Sequence, residues 1–223
     1  MIAEPRPPSV DSEETLGDAY RSLRQQHDAS ELGMWLFLAT ELMFFGGLFT
    51  AYTVYRIVYP AGFEEGSRHL ELGFGVPNTV ILIVSSLFMV LAVRSARLGR
   101  RRQMVWFLLA TAALGIVFMV VKGVEYYRHF LEGTVPALAW SYTGPYPNQV
   151  QLFFLAYFFL TGLHSIHLIV GIVIVLVAVV VAGRSSLGPK NQTGIEMIGL
   201  YWHFVDMVWI FLLPLLYLYG AHG

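Results

Sequence analysis

Five long apolar runs, separated by short breaks rich in glycine, proline and arginine, set the pattern of this chain. They cover residues 32–55, 76–93, 104–121, 150–182 and 195–219. A helix crosses the hydrocarbon of a bilayer in about 20 residues, so each run predicts a membrane span. The second and third are short and must gain a turn from their flanks, and the fourth is long enough to tilt or project. All five must be helical, because lipid offers no partner to a free backbone group.

The breaks read as connections. Pro60-Ala61-Gly62 ends the first helix and Pro77-Asn78 opens the second. Leu98-Gly99-Arg100-Arg101-Arg102 is a tight turn that makes the second and third spans an antiparallel hairpin. Residues 133–147 form a loop of prolines, glycines and aromatics, and residues 183–194 hold the last turn. Residues 1–30 carry Pro5, Pro7, Pro8 and several acids without the apolar stretch of a cleavable signal, so a polar, mobile tail is expected there. Residues 31–223 form one five-helix transmembrane domain, an all-α membrane fold without internal repeats.

Composition agrees. The 223 residues are 56% hydrophobic and 13% charged, with a mean hydropathy of +0.60, which is membrane-protein usage. A net charge of −1 gives no field for nucleic acid or an acidic substrate. The absence of cysteine excludes disulfides, thiolate metal sites, iron–sulfur clusters and c-type haem attachment. Ten of the 14 basic residues lie in the N-terminal tail, the second–third turn and the fourth–fifth connection, which the positive-inside rule places in the cytoplasm or matrix. The C-terminus then lies outside. Trp106, Trp140, Tyr142, Tyr217 and Tyr219 suit the interfacial belts.

The chemistry rests on ionisable groups at bilayer depth, which are costly and normally face protein or a polar cavity. Glu41 lies roughly 13 Å into the first span, near mid-bilayer. It is expected to exchange a proton or to bond a neighbouring helix. Gly46-Gly47 beside it would let another backbone approach. His164 and His167 share one face of the fourth span, and His203 and Asp206 one face of the fifth. Asp206 is expected to bond His203 or a histidine of the fourth span, clasping the two helices. A haem b held by His164 or His167 with His203 is the competing reading; His-x-x-His alone is a weak metal signal, and no metal site is assigned. Trp202 and Trp209, two turns apart, could line a groove for an acyl chain or a partner helix. Lys122 and Glu125 are read as an interfacial ion pair of little weight, and Pro214 as a kink. No nucleophile elbow or phosphate loop occurs, so no catalytic residue is assigned.

Five stretches together resemble subunit III of the haem–copper oxidases, in its short five-helix form, over residues 31–220. They are Gly33 through Phe45 with the motif Trp35-Leu36-Phe37-Leu38-Ala39-Thr40-Glu41; Asn78-Thr79 with Ser85-Ser86; Glu125-Tyr126; Thr161-Gly162-Leu163-His164-Ser165-Ile166-His167; and Glu196 with Tyr201-Trp202-His203-Phe204-Val205-Asp206 and Val208-Trp209.

The resemblance implies a non-catalytic subunit. The haems and copper would sit in subunits I and II, with this chain packed beside subunit I in a bacterial inner membrane. It would hold phospholipid in a cleft between a pair of helices, spans one and two, and a bundle of spans three to five, and would support proton uptake and oxygen access. Glu41, with Trp35 and Phe45, would sit at the lipid cleft. His164, His167, His203, Asp206, Glu125 and Glu196 would form an interhelix polar cluster, and Tyr201, Trp202 and Trp209 would pack the second bundle. Lys122 stands where the family usually has glutamine, and Leu163 and Ser165 where it usually has Phe and Gly. Cytochrome c oxidases, quinol oxidases and a nitric oxide reductase accessory protein all use this subunit type.

Overall fold

All five apolar runs are helices, and each extends into its polar flanks. The structure, a computed structural model, describes residues 23–136, 138–184 and 189–220. In chain order these form α1 (Leu23–Val58), α2 (Pro60–Arg68), α3 (Leu72–Arg97), α4 (Arg101–Leu131), α5 (Pro147–Arg184) and α6 (Pro189–Tyr217). A two-residue hairpin, β1 (Thr134–Val135) with β2 (Ala139–Trp140), joins α4 to α5. Helices α1, α3, α4, α5 and α6 are each long and apolar enough to cross a membrane.

Helix α1 begins at Leu23, inside the stretch expected to be a mobile tail. Leu23, Arg24, Gln25 and Gln26 are all good helix formers, and no proline or glycine interrupts them before Gly33. The rest of the tail, including Arg6 and Arg21, lies outside the described residues.

The α3–α4 hairpin forms as the break predicts. Gly99 adopts φ 68°, Arg100 N–H reaches Ser95 O at 2.9 Å, and Gly99 N–H reaches Ala96 O at 3.0 Å. This pair of bonds is a Schellman cap, and its left-handed residue is tolerated because glycine lacks Cβ.

Helix α2 is the element the sequence reading omits. Pro60 opens it, at the first helical position where the missing N–H costs nothing. Its small residues lie flat on α5: a Cβ on Gly62 would fall 2.2 Å from Gln149, and one on Gly66 2.4 Å from Phe153. Phe63 meets Tyr52 and Phe153 edge-on.

This detour overturns the expected grouping of helices. Helix α2 carries the chain across the end of α5, so α1 and α3 are not paired. Instead α3, α4, α5 and α6 pack as a four-helix bundle, and α1 leans on its flank against α6. Gly115 and Gly171 leave room inside the bundle for Trp202, whose ring lies 3.0 and 3.3 Å from where their Cβ atoms would be. Trp202 and Trp209 are fully buried in this core, not exposed in a groove.

Candidate functional site

Among the described residues, the side chains expected to form one polar cluster are spread over three sites and a salt bridge, with His164 bonded in none of them. The first joins α1 to α5. Glu41 Oε2 lies 3.1 Å from His167 Nε2, and both side chains are 19% exposed. His167 Nδ1 lies 2.8 Å from the Leu163 carbonyl oxygen. A carbonyl oxygen only accepts, so Nδ1 carries a proton. The Nε2–Oε2 contact then holds a further proton, because two bare lone pairs would repel. Either Glu41 is the acid and donates to neutral His167, or imidazolium donates to the carboxylate.

Neighbours hold the pair in place. Tyr201 donates its hydroxyl to the His167 carbonyl at 2.9 Å, and buried Phe45 sets its ring edge-on to the imidazole at 5.2 Å. Trp35 stands on the exposed face of α1. Gly46 and Gly47 meet no atom within 4 Å of where a Cβ would stand, so the expected close helix approach does not occur there.

The second site ties α4, α5 and α6 together at the end that carries α2. Lys122 Nζ donates to Glu125 Oε2 at 3.0 Å, Tyr157 Oη at 3.0 Å and Tyr217 Oη at 2.9 Å, which uses all three of its protons. Tyr157 donates to Glu125 Oε1 at 2.7 Å, and Tyr217 donates to the same oxygen. The Trp209 ring centroid lies 5.0 Å from Nζ. Lys122 and Glu125 are 2% and 3% exposed. The pair is therefore a buried ionic hub and not the weak interfacial contact expected. Tyr217 belongs to it and not to an aromatic belt. The sequence reading missed Tyr157, because nothing distinguishes it from the phenylalanines around it.

The third site lies between α3 and α6. His203 Nδ1 and Ser86 Oγ are 2.6 Å apart. Trp202 donates to Ser85 Oγ at 3.2 Å and Trp209 to Thr79 Oγ1 at 3.0 Å. Asp206 bonds neither His203 nor a histidine of α5: both its carboxyl oxygens are buried without a hydrogen-bond partner. The fifth-span residues bond α3 hydroxyls, although α5 also brings a polar group to their level, His164 against the Trp209 ring. Glu196 pairs with Arg97 at 2.7 Å at the arginine-bearing end, far along α6 from Glu125.

The three histidines face different neighbours. His167 faces α1, His203 faces Ser86, and His164 is buried between Phe118 and Trp209. No described contact pairs His203 with His164 or His167. Among the described residues, no three His, Asp or Glu side chains gather as metal ligands would.

The sequence matches known proteins over most of its length. Residues 12–221 match the family model described as cytochrome c oxidase subunit III. The chain is similar to cytochrome c oxidase subunit 3 of Synechocystis sp., with 36% identity over 194 residues, or 86% of this chain and 76% of that protein. It is similar to cytochrome bo(3) ubiquinol oxidase subunit 3 of Pseudomonas aeruginosa, with 31% identity over 189 residues, or 85% and 84%. A probable quinol oxidase subunit 3 of Staphylococcus epidermidis is 28% identical over 203 residues, or 89% and 93%.

Proposed function

The chain belongs to the cytochrome c oxidase subunit III family of the haem–copper oxidases, and we propose that it acts there as a supporting subunit that holds lipid and a proton beside another subunit's redox centre. Membership makes it an integral membrane component of a multi-subunit oxidase. The finer reading is that it packs on subunit I, with haem and copper carried by subunits I and II, in a bacterial inner membrane with its N-terminus inside.

The observation that carries this reading is the Glu41–His167 pair. It is part-exposed at a helix seam, it holds one shared proton, and shifting that proton interconverts a neutral pair and an ion pair without moving a heavy atom. Such a group suits proton exchange, because an ionisable pair at bilayer depth is costly and marks functional positions. A further feature supports lipid and partner contact: most of the surface of α1 is apolar and exposed.

The test is Glu41→Gln in the intact oxidase. Initial turnover is expected to stay near that of the parent, while phospholipid retained through purification falls or the active lifetime shortens. Unchanged lipid content together with an unchanged lifetime would remove the basis of the proposal.

A further inference from the structure

Asp206 has no role in the sites above and no partner. It lies in the middle of α6, is 4% exposed, and neither oxygen completes a hydrogen bond. A carboxylate left in that state would be an unsolvated charge inside a membrane bundle. The acid must therefore hold a proton at rest, and that proton needs a way in.

Among the described residues, one open crevice leads toward the acid. The crevice of about 750 Å³ opens at the arginine-bearing end between α1, α3 and α6, and His203 is among the residues that line it. His203 Nδ1 and the Ser86 hydroxyl are 2.6 Å apart. Asp206 stands three residues beyond His203 on the same face of α6, the face that Ser86 of α3 meets, although neither carboxyl oxygen completes a bond in this conformation. Three side chains thus connect an open crevice to a closed acid: imidazole, hydroxyl, carboxyl.

We infer that Asp206 is a second proton-binding site, separate from Glu41–His167, loaded from the arginine-bearing face through His203 and Ser86. The step balances without any co-reactant. The imidazole takes a proton from water in the crevice and releases one from Nδ1 to the Ser86 oxygen. The serine proton passes in turn to the Asp206 carboxylate, and release runs in reverse.

The charged groups around the route fit an entry point. Glu31 of α1, Arg94 and Arg97 of α3 and Glu196 of α6 line the mouth, with Arg97 bonded to Glu196. On the side away from the crevice, α5 brings His164 against Trp209, and α4 brings Lys122 over the same indole. That tryptophan lies one turn beyond Asp206 and is fully buried.

The experiment is infrared spectroscopy of the intact oxidase complex, reading the carbonyl stretch of protonated carboxyl groups before and after transfer to deuterated water. Asp206→Asn is expected to remove one such band, and Glu41→Gln is expected to leave that band in place. Should Asp206→Asn fail to assemble, Asp206→Glu identifies the same band by shifting it. In the parent the band exchanges promptly. In Ser86→Ala and in His203→Phe its exchange slows by at least about tenfold, the scale set by losing a positioned proton-transfer group. A spectrum in which neither Asp206 variant alters a band overturns the proposal, as does exchange equally fast in Ser86→Ala, His203→Phe and the parent. Because Glu41 is read separately, failure here leaves the Glu41–His167 reading standing, and the reverse also holds.

Discussion

The Lys122 hub and the Glu41–His167 seam are both ionisable pairs inside the membrane domain, yet they are built in opposite ways. In the hub, every ammonium proton has an acceptor, the carboxylate accepts from two tyrosines as well as the lysine, and bulky rings close the outside. In the seam one hydrogen bond joins two part-exposed side chains, and the second Glu41 oxygen has no bond among those described. Low dielectric strengthens both, but only a saturated network is held rigidly by it. The hub therefore fastens α4, α5 and α6 into one body, and the seam leaves α1 more loosely attached, with a proton that can move.

Mutations that act on one region and spare the other test that contrast. Lys122→Ala strands Glu125 as an unpaired buried charge and should cost about 3–5 kcal/mol, read as a large fall in the thermal or denaturant resistance of the subunit within its complex. Lys122→Met with Glu125→Gln should recover most of the loss, because the penalty comes from the stranded charge. If the single and double variants were equally unstable, the hub would be a packing feature and not an ionic one.

Gly66→Ala should cost roughly 1–3 kcal/mol by overpacking against Phe153, with the damage confined to the seating of α2 and visible as faster proteolysis of residues 59–71. Tyr201→Phe removes one hydrogen bond from the seam and should cost about 0.5–1.5 kcal/mol. Glu41→Gln should have the smallest effect on stability, under about 0.5 kcal/mol. Its amide N–H can still donate to His167 Nε2, so the contact survives while the movable proton is lost. A Glu41→Gln loss as large as that of Lys122→Ala would erase the distinction between the two regions.

Each surprise in the structure has the same physical origin. The glycine at position 99 announces its own turn, because the left-handed conformation is a local property of one residue. Pro60 announces a break equally clearly, but whether a break ends a helix or opens the next depends on what lies beside it; here the flat Gly62–Gly66 face finds α5. Lys122 and Glu125 are visibly three apart, yet their burial depends on Tyr157 and Tyr217 arriving from other helices. Asp206 is visibly an intramembrane acid, yet nothing local says that its oxygens find no donor.

The five spans and the basic hairpin turn were determined by the sequence alone, since they follow from helix rise, bilayer thickness and the conformational preferences of single residues. Which histidine meets the Glu41 carboxyl, which ion pair is sealed from water, and where α1 comes to rest were decided only by the tertiary structure. Those contacts join residues up to 163 positions apart, as where Tyr52 bonds the Leu215 carbonyl. Side-chain periodicity names the face of a helix but not the neighbour that covers it.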